Sequence, residues 1–165
     1  MISSQKPFRI FLCTIPLFLG FPNANIQESS SAANVERKIC YIEKIFTEPG
    51  MRFIIFDTID WFQGEKAVIA YKEDHPGSTA SLPDGYYIRN RVNKWDTLAI
   101  AGTAQFVMQT YSRDSEGNFR RNEQIDIDQF TRLFSEHDHR QYKRIPFWMA
   151  ISHGRILSIA EQYIP

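Results

Sequence analysis

The chain has 165 residues, 43% of them hydrophobic and 14% aromatic, with 19 basic and 19 acidic side chains. That is enough apolar material to pack one domain and too much for a wholly disordered chain. The balance of charge, with no basic run interleaved with aromatics, leaves no electrostatic case for nucleic acid.

At the N-terminus, Lys6 and Arg9 stand before an apolar run from Ile10 to Phe21. A positive segment followed by about a dozen apolar residues has the layout of an export signal and is too short to span a bilayer as a stable helix. The expected division is a signal peptide over 1–24, a flexible Ser/Asn/Ala-containing tether over 25–35 and a single globular domain over 36–165. Cleavage after Ala24 puts Pro22 at the minus-three position, whereas cleavage after Ala33 puts Ser31 there, far from the apolar run. Cys13 follows Ile10, Phe11 and Leu12, which lack the small residues of a lipid-attachment box. The expected location is therefore secreted or periplasmic, with no membrane span after signal removal. Without Lys6 and Arg9, 17 basic groups remain of the 19, against 19 acidic ones, a net of about minus two. Cys40 is then the only cysteine, so no internal disulfide is possible, and between Ile39 and Tyr41 it reads as a small buried hydrophobe.

Along the domain, Lys38 to Thr47 and Arg52 to Ile59 predict a hairpin about Glu48-Pro49-Gly50. Phe53 and Ile55 face one way and Ile54 and Phe56 the other, as in a strand central to a sheet or barrel. Asp57 interrupts this run, either as a strand-end carboxylate bonded to backbone or as the partner of a distant cation. Glu65 to Asp74 predicts a helix with Ala67, Ala70 and Tyr71 on one face, closed by His75 ahead of Pro76-Gly77. Pro83-Asp84-Gly85 is turn chemistry, and Tyr86 to Arg91 should then extend. Period two puts Tyr86, Ile88 and Asn90 on one side of that strand and Tyr87, Arg89 and Arg91 on the other. If Arg89 is covered it requires carboxylates or carbonyls, and Asp57 and Glu161 are the expected partners; the alternative is a stem lying along the surface.

Val92 to Asp96 reads as a loop anchored by Trp95, followed by strands over Thr97 to Ile100 and Ala104 to Tyr111, parted by Ala101-Gly102-Thr103. Ser112 to Asn122 is an exposed hairpin tip. Asp126 to Glu136 is the best-marked helix: Asp126 and Gln129 form a capping box ahead of a stripe of Ile127, Phe130, Leu133 and Phe134. In Glu136-His137-Asp138-His139, His137 and His139 would share a face of an extended segment, a weak metal-ligand pattern that a solvated loop explains equally well. Pro146 to Ser152 and Arg155 to Tyr163 form a second hairpin about His153-Gly154. Strict alternation would put Leu157, Ile159, Glu161 and Tyr163 together, leaving Glu161 in apolar company and in need of a partner.

Trp61 with Gly64 and Ala67, Asp84 with Tyr86-Tyr87-Ile88-Arg89-Asn90, and the terminal Glu161-Gln162-Tyr163-Ile164-Pro165 resemble an uncharacterised group of secreted or lipid-anchored bacterial proteins. The likeness runs from about Ile39 to Pro165 and brings no activity, cofactor or catalytic residue; the Glu136 to His139 cluster and Cys13 lie outside its pattern.

No complete catalytic or cofactor motif is present. The element order predicts an α+β domain: a small, mostly antiparallel curved sheet or OB-like barrel with two helices. The expected function is an extracytoplasmic binding or interaction module for a protein, peptide or small molecule, with Tyr86, Tyr87, Trp95 and Trp148 as its aromatic surface. Two alternatives stand beside it: a hydrolase dividing acid and base roles between Asp57 and Glu161 beside Arg89, and a metal site at His137 and His139.

Overall fold

The computed structural model describes residues 34–164 except Ala80, Pro83 and Glu136, with the side chains of 137–140 also set aside. The expected signal peptide and most of the tether lie outside the described residues. Within them, β1 (Glu36–Glu48) and β2 (Met51–Thr58) form the first hairpin, turning at Gly50 with φ 81°. A short excursion follows through β3 (Asp60–Gln63), α1 (Gly64–Asp74) and β4 (Tyr86–Arg89). The chain then returns as β5 (Trp95–Met108), β6 (Glu123–Ile125) and α2 (Ile127–Ser135). A 3-10 helix (His137–Arg144) leads into β7 (Pro146–Ser152) and β8 (Arg155–Glu161).

Five of these strands close on themselves. β1 pairs with β2 and β7, β7 with β8, β8 with β5, and β5 back with β2. Every pairing is antiparallel except β5 with β8. A five-stranded barrel with one helix between its third and fourth strands is the OB-like architecture expected from the element order. The insertion β3-α1-β4 lies between the second and third barrel strands, with β3 and β4 paired as a separate ribbon. No helix among the described residues is long and apolar enough to cross a membrane.

The barrel interior explains its closure. Cys40, Ile42, Ile54, Phe56, Phe147, Met149, Ile156 and Ile159 are buried within one cluster, which Phe130 and Leu133 of α2 enter from one end. Phe130 is fully covered, stacked on Phe106 at 4.6 Å and edge-on to Phe147 at 5.9 Å. The capping box that starts α2 is reciprocal: the Gln129 amide donates to Asp126 Oδ1 at 2.7 Å and the Asp126 amide to Gln129 Oε1 at 2.8 Å.

Three sequence expectations change. β5 is one continuous strand from Trp95 to Met108, not a loop and two strands, because Gly102 keeps an ordinary φ and the barrel recruits partners on both of its sides. Trp95 is consequently no anchor: it opens β5 opposite Asp57 and is 52% exposed. In β8 a bulge at Leu157 resets the alternation, since Ile156 faces Ile151 and Ser158 faces Ala150. Ile156 therefore turns inward and Leu157 outward, while Ile159 and Glu161 remain inside.

Candidate functional site

The expected trio of Arg89, Asp57 and Glu161 does not meet as an ion-pair cluster. Arg89 is largely covered, with 11% of its side chain exposed, but its acids come from the adjoining helix. Its Nε donates to Asp74 at 2.6 Å and its Nη2 to Glu73 at 2.8 Å and to the Ala70 carbonyl at 2.8 Å. The reason is local. The last turn of α1 has open carbonyls and the negative end of its dipole, and Glu73 and Asp74 add charge of the same sign. β4 and the residues just after it answer with two cations and a phenol: Tyr87, Arg89 and Arg91, at a spacing of two, all donate to Asp74. Bonds from Arg91, then Arg89 and Tyr87, hold the Asp74 carboxyl down at about 2, against the opposing effect of burial. Bonds to Glu73 and Asp74 push Arg89 further up. Two acids at a helix C-terminus, against the dipole, were the sequence signal for this partnership.

The two buried carboxylates have other occupations. Asp57 accepts the Asn90 amide group at 2.7 Å and the Lys94 backbone N–H at 3.0 Å, tying the exit of the insertion to β2. Glu161 accepts the backbone amides of Gln109 and Thr110, at 2.7 and 3.0 Å, and the Thr110 hydroxyl at 2.6 Å. Both act as substitutes for strand pairing where a ladder ends. Burial first, then the negative charge of Glu161, raises the Tyr142 phenol. Burial likewise pushes the Cys40 thiol up, with Asp57 adding to the effect and Lys38 opposing it, so the thiol is inert at neutral pH.

Nor do the four expected aromatics form one surface. Tyr86 stacks on Trp61 at 4.7 Å and Tyr87 lies edge-on to Tyr71 at 5.5 Å, on opposite sides of β4. Trp95 and Trp148 are exposed, but on β5 and β7, which β8 separates. Trp148 donates its indole N–H to Gln162 at 2.9 Å. For the histidines, the backbone from His137 to Arg144 is a 3-10 helix, on which positions i and i+2 do not share a face. The extended geometry behind that pairing is absent, and the side chains of His137 and His139 lie outside the described residues.

A different site emerges at the end of the barrel. β2 pairs with β5 only as far as Ala99, and β6 joins β5 only from Phe106. On its other side β5 advances from Ile100 to Gln105 while β8 advances only from Ile156 to Ser158. Residues 101–104 thus have no partner in either neighbouring strand, and the wall opens there into a cleft of about 600 Å³. Ile100, Ala104, Phe106 and Ile127 line it with apolar surface, and the small Ala101 and Gly102 leave it room. Thr47, Gly50, Met51 and Arg52 from the first hairpin, Asp126 at the start of α2 and Arg155 at the start of β8 form its edge. Arg52 bonds Asp128 across this gap, joining β2 to α2. Periodicity does not reveal the cleft, because Ala101-Gly102-Thr103 has the composition of a turn; the run of small residues is its only trace in the sequence.

The chain matches no family model, no curated protein and no solved structure.

Proposed function

We propose that this chain is an extracytoplasmic binding module without chemistry of its own, and that it takes its ligand in the cleft between the first hairpin, the unpaired stretch of β5 and the start of α2. The observation that carries the proposal is the opening in the barrel wall at residues 101–104, which sets unpaired backbone and apolar side chains against one concave surface. Its position supports the same reading. OB-like barrels receive ligands on their second and third strands and on the loops joining strands one to two and four to five. Here those elements are β2, β5, the turn at Gly50 and the turn at Gly154, and Gly50, Arg52, Gly102 and Arg155 all line the cleft. The leader-like N-terminus supports a place outside the cytoplasm. The hydrolase alternative is the weaker reading, since Asp57 and Glu161 are engaged with backbone and Arg89 with α1.

A cleft-filling variant tests the proposal. A Cβ at Gly102 meets no other heavy atom within 4 Å and its φ is unstrained, so Gly102→Leu should fill the cleft and keep the fold. Thermal unfolding is followed with a panel of sugars, amino acids, short peptides, organic acids, nucleosides and divalent metals. A cleft ligand at about 100 times its Kd stabilises the parent by about 2.7 kcal/mol and leaves Gly102→Leu unmoved. Equal shifts in both proteins place the binding elsewhere and contradict the proposal; if divalent metals alone cause them, the His137 and His139 reading takes precedence.

A further inference from the structure

We propose that the ligand of this cleft is a singly charged organic carboxylate with an apolar body, its carboxylate lying between Arg52 and Arg155. The inference rests on the cleft being the ligand site and adds the chemistry of what enters it. The apolar half follows from the lining: Ile100, Ala104, Phe106 and Ile127 offer an uncharged surface that a hydrated inorganic anion would gain nothing by covering.

The charged half follows from the edge. Arg155 has no acid partner among the described residues; its Nη1 reaches only Met51 Sδ, at 3.6 Å, a weak acceptor. Arg52 lines the same cleft, so two cations border it. Arg52 is paired with Asp128, whose side chain is 64% exposed, and an exposed pair of this kind yields readily to a competitor. An incoming carboxylate can take Arg52 from Asp128 and satisfy Arg155 as well, with two parallel N–H···O bonds available from either guanidinium. The Asp126 and Gln129 amides are bonded within the capping box and are not open to the ligand. Asp126 and the displaced Asp128 also set the charge of the ligand. Once Asp128 is displaced, Asp126 offsets one of the two arginines and leaves a single positive charge, which matches a carboxylate and is one short for the dianion of a phosphate monoester.

Amide spectra of the 15N-labelled protein decide the matter, with octanoate and N-acetylphenylalanine as carboxylate probes and octanamide and N-acetylphenylalaninamide as their neutral twins. The expected result is that at least one acid shifts the amides of Met51, Ile100, Gly102 and Ile127 and binds about tenfold or more tightly than its twin. Which acid does so separates an alkyl-chain source from a peptide C-terminus. Arg155→Gln should erase the difference between acid and amide, Arg52→Gln should reduce it, and phenyl phosphate should bind more weakly than either acid. If the neutral twins move the same amides with equal affinity, the cleft stands as the ligand site and the carboxylate assignment falls. If none of these probes moves a cleft amide, the assignment falls too, and the panel comparison with Gly102→Leu decides separately whether the cleft binds anything.

Discussion

The barrel and the β3-α1-β4 insertion use acidic side chains in opposite ways. In the barrel, Asp57 and Glu161 are buried and accept mainly from backbone amides, completing ladders that the strands leave open. In the insertion, Asp74 collects Tyr87, Arg89 and Arg91, and the ribbon is fastened to its helix by charge. The first device depends on exclusion of water and the second on cations that remain partly in it. The barrel should therefore resist salt, and the insertion should loosen in salt and, through Asp74, in acid. Around the cleft the two modes meet: an apolar lining bordered by arginines, one of them without an acid.

The largest break in this contrast is expected from the core. Phe130→Ala removes a fully buried ring that touches Phe106, Phe134 and Phe147, and should cost about 3–5 kcal/mol in denaturant unfolding with an unchanged slope. Next, Glu161→Leu leaves the Gln109 and Thr110 amides without their acceptor and should cost about 1–3 kcal/mol, showing that a buried acid here supports stability.

A smaller and more local effect sharpens the comparison. The Asp74 carboxyl is lowered from 3.8 to about 2 by its bonds to Arg91, Arg89 and Tyr87. Its folded value lies below its unfolded one, so its contribution is complete above about pH 4 and is lost as pH falls through 2. Hydrogen exchange over residues 60–91 should accelerate across that window in the parent. Asp74→Asn should show the faster exchange already at pH 7 and little further change on acidification. Equal loss of protection in barrel and insertion would show that the two regions open as one.

How much of this was legible depends on the range of each interaction. The two hairpins, both helices, the capping box and the OB-like closure follow from turn residues and periodicity, which act over a few positions. The faces of β4 were legible for the same reason, since Tyr87, Arg89 and Arg91 do share one side. What Arg89 meets was not, because an acid 15 residues earlier on a packed helix competes with acids much further along the chain, and alternation alone ranks neither. The β8 bulge moved Leu157 to the outside through its pairing with β7, a constraint that belongs to the partner strand. The cleft was least legible of all: it is a place where strands part, and 101–104 take their meaning from neighbours 50 residues away on either side.

The claim that the barrel cleft and not the insertion receives the ligand is tested most directly by hydrogen exchange at neutral pH, with and without the panel compound that raises the unfolding midpoint most. The account predicts protection gained over residues 50–54, 98–106 and 125–128, with 86–91 unchanged. Protection gained over 86–95, with the cleft segments unaltered, would contradict it.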